Sequence, residues 1–127
     1  MVTNYKELEV WKRSVALTTE LYKLTSRFPD TERYGLTSQI RRAVTSIPAN
    51  IAEGWVRGST GEYVQFLTVA RGSLMEVETH LIVACSLQLL SALALAPLSK
   101  EIEEIGKMLN ALIVALKSRK QGLGVRD

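Results

Sequence analysis

Residues 98–116 read LSKEIEEIGKMLNALIVAL. Apolar residues recur in this stretch at alternating steps of three and four, at Leu98, Ile102, Ile105, Leu109, Leu112 and Leu116. This is the a/d spacing of a bundle helix, in which one apolar stripe faces the neighbouring helices. The stretch therefore predicts an amphipathic α-helix packed against others.

Three further stripes with helical spacing precede this one. In chain order they contain Leu8, Trp11, Val15 and Tyr22 beside Leu17, Leu21, Leu24 and Phe28; then Leu36, Ile40, Ala43, Val44, Ile47 and Ile51; then Tyr63, Phe66, Leu67, Ala70, Leu74, Val77, Leu81 and Cys85. No β-type alternation bounded by hairpin turns competes with them, and the linkers are short. The sequence predicts a single all-α domain, an antiparallel up-down-up-down four-helix bundle.

The predicted helices span about residues 6–27, 32–54, 59–89 and 92–120, and a frayed tail follows over 121–127. Pro29 ends the first helix, because the residue before a proline is pushed out of the α region. Gly54 closes the second helix. Pro48, inside that helix, predicts a kink rather than two separate helices.

Hydroxyl residues mark the starts of the last two helices. Ser59 or Thr60 caps the third. For the fourth, either Ser91 is the cap and Pro97 forms a kink, or Pro97 occupies the first turn, where its missing N–H is not needed. The stretch Leu81 to Ser99 is uncharged and long enough to suggest a membrane span. Because its first part continues an amphipathic stripe, we interpret it as helix, turn and helix, and predict no membrane span.

The composition is that of a globular protein, with 46% hydrophobic and 23% charged residues. A net charge of +3 is too small to indicate a nucleic-acid-binding protein by itself. Cys85 is the only cysteine, which excludes an intramolecular disulfide. Since no signal peptide is visible either, the sequence predicts a cytoplasmic protein.

Six short sequence segments, taken in their order along the chain, cover about residues 5–120. The segments are YKELEVW at 5–11, FP at 28–29, YGLTSQIRRA at 34–43, SIPANIAEG at 46–54, GSLMEVET at 72–79 and EIGKMLN at 104–110. In this order and spacing they resemble the 23S rRNA intervening-sequence proteins, also called the S23 or "four helix bundle protein" family. The stretch from Ala92 to Leu98 is more apolar than the family's acidic stretch there.

The resemblance implies a four-helix bundle that often assembles as a ring-shaped homopentamer. It also implies kinship with the accessory variability protein of diversity-generating retroelements, a pentamer that binds a reverse transcriptase and nucleic acid. The expected partners are therefore further copies of the chain, together with RNA or DNA and a reverse transcriptase.

The predicted third helix carries more apolar surface than one face of a four-helix monomer needs. The additional residues are Val64, Val69, Val83 and Leu87. They either meet another subunit or are scattered exposed residues of an ordinary surface. Periodicity alone leaves both interpretations open.

A polar stripe lies beside the apolar stripe of the second helix. It contains Gln39, Arg42, Ser46, Asn50 and Glu53 at steps of three or four. We predict a structural polar seam between helices or subunits, in which Arg42 pairs with Glu53 or with Glu78 on the third helix. The alternative is a solvated face.

Glu76 and His80 lie four residues apart on one helix face, which raises a metal hypothesis. Di-metal bundles instead use Glu-x-x-His steps in two copies, and the chain has one histidine, so we interpret the pair as a helix-surface ion pair. The same scarcity excludes Ser-His-Asp and Cys-His catalysis unless His80 serves. No Gly-rich phosphate loop is visible. The sequence predicts no catalytic residue, no metal and no cofactor.

Basic residues form three clusters, Lys12 with Arg13, Arg41 with Arg42, and Lys117 with Arg119 and Lys120. Singly, each is typical of a solvated face or a helix C-terminus. In a pentamer the charge would rise to about +15 and each cluster would form a ring that attracts phosphate. Without interleaved aromatic residues, such binding should be salt-sensitive and weakly selective.

The sequence therefore predicts a non-enzymatic, homo-oligomeric protein that binds nucleic acid, alone or with a nucleic-acid enzyme. An oligomeric protein-interaction scaffold without a nucleic-acid role is the alternative.

Overall fold

The computed structural model describes residues 2–123, and side chains as far as residue 119. Over this range the chain forms four α-helices and no strand: α1 (Glu9–Thr25), α2 (Leu36–Val56), α3 (Thr60–Ser86) and α4 (Ala92–Leu123). Short 3-10 turns occupy Tyr5–Glu7 and Asp30–Glu32. The predicted all-α class is confirmed. Of the predicted frayed tail, residues 121–123 extend α4, and 124–127 lie outside the described residues.

The helices pack as a closed ring in which α1 contacts α2 and α4, and α3 contacts the same two neighbours. Contacts between α2 and α3 join Arg42 to Glu76, Ser46 to Ser73, and Gly54 to Phe66. The residue number falls along α3 as it rises along α2, so the two helices are antiparallel. The fold is the predicted up-down-up-down bundle, with α1 and α3 diagonally opposite.

The four helices enclose one apolar core. Its completely buried large side chains are Leu17, Leu21, Ile40, Val44, Ile47, Ile51, Leu67, Leu74, Leu81, Ile102, Ile105 and Leu109. Near the end of α4 the buried position is Ile113, whereas the predicted Leu112 is half-buried. A strict three-four alternation drifts around a straight helix, and this drift brings the neighbouring residue into the core.

The inner face of α1 differs from the prediction. Tyr22 is 41% exposed, whereas Ser14 and Thr25 are buried. Their hydroxyls donate to the carbonyls of Val10 and Leu21, four residues earlier, at 2.7 Å each. Because these local hydrogen bonds satisfy the hydroxyls, polar residues occupy core positions that an apolar pattern passes over.

Helix α2 continues through Pro48, which has no N–H to donate to the carbonyl of Val44. The hydroxyl of Thr18 on α1 lies 3.2 Å from that carbonyl oxygen and 2.8 Å from the carbonyl of Ser14. A side chain of the neighbouring helix thus offers a donor in place of the one that the proline lacks.

The prediction that Gly54 closes α2 is wrong, because the helix continues to Val56. Gly54 is buried against α3, where a Cβ atom would lie 2.8 Å from Cβ of Phe66 and 3.0 Å from Cδ1 of Tyr63. The glycine therefore permits close approach of two helices rather than a helix end.

Helix α3 is capped at its start by Ser59, whose hydroxyl accepts from the backbone N–H of Glu62. It ends three residues before the predicted bound, in a Schellman turn with Gln88 at φ 63°. Ser91 then caps α4, and Pro97 lies inside that helix. The stretch Leu81 to Ser99 is thus split by a turn, and within residues 2–123 we find no helix with the length and apolarity of a membrane span.

Candidate functional site

Three of the predicted nucleic-acid-binding arginines make contacts between helices. Arg13 on α1 forms a two-pronged ion pair with Glu101 on α4, at 2.9 Å from Nε and 2.7 Å from Nη2. The hydrogen bond and the charge of Glu101 raise the pKa of Arg13 above its usual value. This guanidinium is already occupied by a carboxylate, so a phosphate would have to compete for it.

Arg41 joins α2 to the end of α1. Its Nε donates to the hydroxyl of Thr25 at 2.9 Å, and its Nη2 donates to the carbonyl of Tyr22 at 3.2 Å. The guanidinium carbon also lies 4.5 Å from the centre of the Tyr22 ring, a cation–π distance. A cation at a helix C-terminus is favoured by the helix dipole, so Arg41 has a structural role at this corner.

Arg42 donates to Gln39 at 3.0 Å and pairs with Glu76 on α3. The predicted pairing with Glu53 or Glu78 is wrong. Glu53 lies eleven residues along α2, roughly 16 Å further up the axis. It pairs with Arg57 at 3.0 Å instead.

The predicted polar seam is thus brought together only in part. Between α2 and α3, the hydroxyls of Ser46 and Ser73 share a hydrogen bond of 2.8 Å, and Asn50 donates to the carbonyl of Ser46 at 2.7 Å. Glu78 is half-buried and has no hydrogen bond or ion pair among the described residues. The seam joins two helices of one protomer.

His80 approaches Glu76 on the outer part of this seam, with Nε2 and Oε2 3.4 Å apart. Within the part of the chain that the structure describes, no three His, Cys, Asp or Glu side chains are grouped as metal ligands would be. The pair has the geometry of a surface contact one helical turn apart.

Other cations make no side-chain hydrogen bond or ion pair among the described residues. They are Lys6, Lys12, Lys23, Arg27, Arg33, Lys100, Lys117 and Arg119. Lys12 and Lys23 are three turns apart on the outward side of α1, and Arg27 follows one turn later. Lys120 belongs to α4, but its side chain lies outside the described part. Unpaired cations therefore lie along α1, where the exposed acidic residues Glu9 and Glu20 accompany them, and near the end of α4.

The outward surface of α3 has the opposite character, and we call it the α3 outer face. Every exposed residue of α3 from Gln65 onward is uncharged: Gln65, Thr68, Val69, Gly72, Met75, Thr79, Ile82, Val83 and Ser86. Ile82, one helical turn before the last residue of this face, is 50% exposed. Val64, predicted to belong to this surface, is half-buried and packs on the core.

A groove of about 540 Å³ borders the α3 outer face on the side of α4. It is lined by Thr68, Arg71, Gly72, Met75, Gly106 and Asn110. A Cβ atom on Gly72 would meet nothing within 4 Å, so the helix surface is open at this point. Arg71 donates to Asn110 across the groove at 2.8 Å.

A cleft of about 420 Å³ lies at the end of the bundle where α2 passes into α3, and we call it the end cleft. Its lining includes Leu8, Trp55, Tyr63, Leu112, Leu116, Arg57 and Arg119. The rings of Trp55 and Tyr63 meet edge to face, 6.1 Å between centres and at 89°. The Tyr63 hydroxyl is buried without a hydrogen-bond partner among the described residues, and burial raises the pKa of this phenol.

The end cleft could not be found from the sequence, which predicts no aromatic residues among the basic ones. Trp55 and Tyr63 come from α2 and α3, and Arg119 comes from α4. Only the closure of the bundle brings these segments together. The one local signal is the pair of aromatic residues that flank the 57–60 turn.

The fold and these surfaces define a four-helix-bundle protein with long helices, in which the α3 outer face carries no exposed charge. The chain belongs to the 23S rRNA-intervening sequence protein family, whose sequence model matches residues 6–111. The resemblance found in the sequence is thus confirmed.

The bundle is similar to a crystal structure from Bacteroides thetaiotaomicron VPI-5482, that of a protein with unknown function from the S23 ribosomal protein family. The two chains are 23% identical with a TM-score of 0.74, over 82% of this chain and 97% of that one. At this identity the likeness supports the fold. No curated protein matches the chain.

Proposed function

We propose that the chain is a non-enzymatic homo-oligomeric protein that binds nucleic acid, alone or together with a nucleic-acid enzyme such as a reverse transcriptase. The observation that carries this proposal is the division of exposed charge between two diagonally opposite helices. Four of the exposed residues of α1 are charged, namely Glu9, Lys12, Glu20 and Lys23, whereas the α3 outer face has none.

The α3 outer face is the contact between copies of the chain in this proposal. Charged residues are depleted at the centres of protein interfaces, whereas an ordinary exposed helix face carries them. The face repeats at helical spacing over about six turns, and the groove beside it can accept side chains from a neighbour. The expected assembly is the homopentamer that the family resemblance implies.

Packing through α3 leaves α1 on the outside, because the two helices do not touch within the bundle. A pentamer would carry five times the charge of +3, with Lys12, Lys23 and Arg27 repeated around it. Lys117, Arg119 and Lys120 complete the proposed phosphate-binding set. Arg13, Arg41 and Arg42 contribute less in this proposal, since each would have to leave a partner.

The assembly is tested by one substitution and a matched control. Ile82→Glu places a charge on the α3 outer face, about one turn before its last residue, and should dissociate the oligomer, as measured by light scattering after gel filtration. Val114→Glu places the same charge on α4 at a residue that is 65% exposed, and should leave the mass unchanged. An oligomer that survives Ile82→Glu, or that is lost equally in both variants, would rule out the α3 contact.

Nucleic-acid binding is tested by fluorescence anisotropy with labelled single-stranded RNA and duplex DNA between about 50 and 200 mM salt. Affinity should fall steeply as the salt concentration rises. The double variant Lys12→Gln with Lys23→Gln should make the plot of log affinity against log salt concentration less steep, by roughly one for each lysine that binds a phosphate. Lys107→Gln is the control, because this lysine is paired with Glu103 on the outside of α4. Absence of binding to either nucleic acid at the lowest salt concentration would end this part of the proposal.

A second candidate function is an oligomeric scaffold that receives a different protein on the α3 outer face. The groove beside α3 favours it, because it offers space for inserted side chains. Co-purification of a partner that resists nuclease treatment and is lost with Ile82→Glu, without affinity for RNA or DNA, would decide for the scaffold. We further propose a cytoplasmic location, which suits the free thiol of Cys85.

A further inference from the structure

We propose that the end cleft receives one unstacked nucleotide of the bound nucleic acid, with the base inside the cleft and the phosphate at its rim. This inference rests on the proposed function, because it names the part of the chain that contacts a base. It adds an aromatic contact to a surface that otherwise offers only charge.

The size and lining of the end cleft suit a planar ring. At about 420 Å³ it lies within the range of small-molecule sites, and its apolar lining includes Leu8, Leu112 and Leu116. Trp55 is half-buried and held edge to face by Tyr63, so its orientation is fixed before any ligand enters. Bases that leave a stack bind to such aromatic and apolar walls.

The rim of the cleft provides a cation for the phosphate. Arg119 is exposed and has no partner among the described residues, so its guanidinium is available. Arg57, on the other side, is held by Glu53 at 3.0 Å and lies 3.9 Å from Glu62, which largely neutralises it. Arg119 is therefore the unpaired cation among the described residues that line the cleft, and its guanidinium can contact one phosphate.

The Tyr63 hydroxyl adds an element of chemical recognition. It is buried and lacks an acceptor among the described residues, a state that few buried polar groups show. Nucleobases carry carbonyl and ring-nitrogen acceptors. A base that displaces the atoms covering this hydroxyl would give it the partner it lacks.

The test uses two probes, adenosine 5′-monophosphate by calorimetry and a ten-nucleotide single-stranded RNA by anisotropy, with the full chain in its native assembly. Arg119→Gln should weaken both probes about tenfold and lower the salt slope for RNA by roughly one. Trp55→Ala should weaken RNA binding about tenfold without changing the salt slope, because it removes stacking and no phosphate contact. Lys107→Gln, on the outside of α4 and not part of the cleft lining, should leave binding of the monophosphate within about twofold of the parent.

Tyr63→Phe removes one oxygen and keeps the ring, so it tests the cleft even if Trp55→Ala impairs folding. It should weaken the monophosphate several-fold at unchanged helix content by circular dichroism. If RNA binds and none of these cleft variants affects it, the inference fails while the proposed function stands. If the monophosphate binds through Arg119 but no RNA binds, the cleft takes a free nucleotide and the nucleic-acid function is overturned. If neither probe binds, both fail.

Discussion

Replacement of Gly54 by alanine tests the packing of α2 against α3. The added Cβ would lie 2.8 Å from Cβ of Phe66, 3.0 Å from Cδ1 of Tyr63 and 3.3 Å from the Tyr63 carbonyl oxygen. Carbon atoms in contact prefer roughly 3.5 to 4.0 Å, so the two helices would have to separate by about half an ångström or more. Neither Cβ nor a backbone oxygen can move aside by a side-chain rotation.

The magnitude follows from two opposing effects. Overpacking of this kind destabilises a protein by about 1 to 3 kcal/mol. Alanine in place of glycine inside a helix stabilises it by about 1 kcal/mol. Because both the Phe66 and the Tyr63 contacts are too short, we expect the upper part of the first range, and a net loss of about 1 to 2 kcal/mol in the free energy of unfolding.

Gly106→Ala is the matched control for this substitution. Gly106 also lies inside a helix, but its Cβ would stand 3.5 Å from Cδ2 of Leu74, an ordinary contact. We expect this variant to be as stable as the parent or up to about 1 kcal/mol more stable.

Both variants are compared by urea denaturation at two protein concentrations about tenfold apart, so that any contribution of self-association is seen. A Gly54→Ala protein that is as stable as the Gly106→Ala protein would refute the close approach of α2 and α3.

Three further predictions concern single contacts. Thr18→Val leaves the Val44 carbonyl without its side-chain donor and should lower the free energy of unfolding by about 1 kcal/mol in urea, whereas an unchanged value would show that the contact contributes nothing. A double-mutant cycle with Arg13→Gln and Glu101→Gln should give a small favourable coupling, since the side chains are 34% and 30% exposed and solvent screens the pair; a coupling of zero or of opposite sign would contradict the ion pair. Burial raises the pKa of Tyr63, so the unfolded chain loses this proton first as the pH passes about 10; stability should be unaffected below that pH and fall above it, and Tyr63→Phe should reduce the loss.

The four helices could be predicted because each stripe repeats over several turns and its signal accumulates along the segment. The sequence allows α4 to begin at Ser91 or at Pro97, since either residue suits a first turn, and the structure has Ser91 as the cap. The left-handed turn at Gln88 could not be foreseen, because glycine or asparagine usually marks it. Tertiary packing, and not local preference, decides such ends.

Most of the candidate site depended on the register between helices, which one sequence does not contain. The sequence offers acidic residues on two helices as partners of Arg42, and only the packing of α2 on α3 selects Glu76. Likewise, the sequence around Gly54 reads the same whether the glycine ends a helix or allows a neighbouring helix to approach closely. The sequence shows the basic clusters, but only the contacts between helices decide which cations remain unpaired.

Sedimentation velocity of the unmodified chain over about a hundredfold range of concentration tests the central claim most directly. The chain has a mass of 14.1 kDa, and we predict one dominant species of about five times that mass, held together through α3. A single species at the mass of one chain, persisting to the highest concentration, would contradict the self-association on which both the proposed function and its charge argument depend.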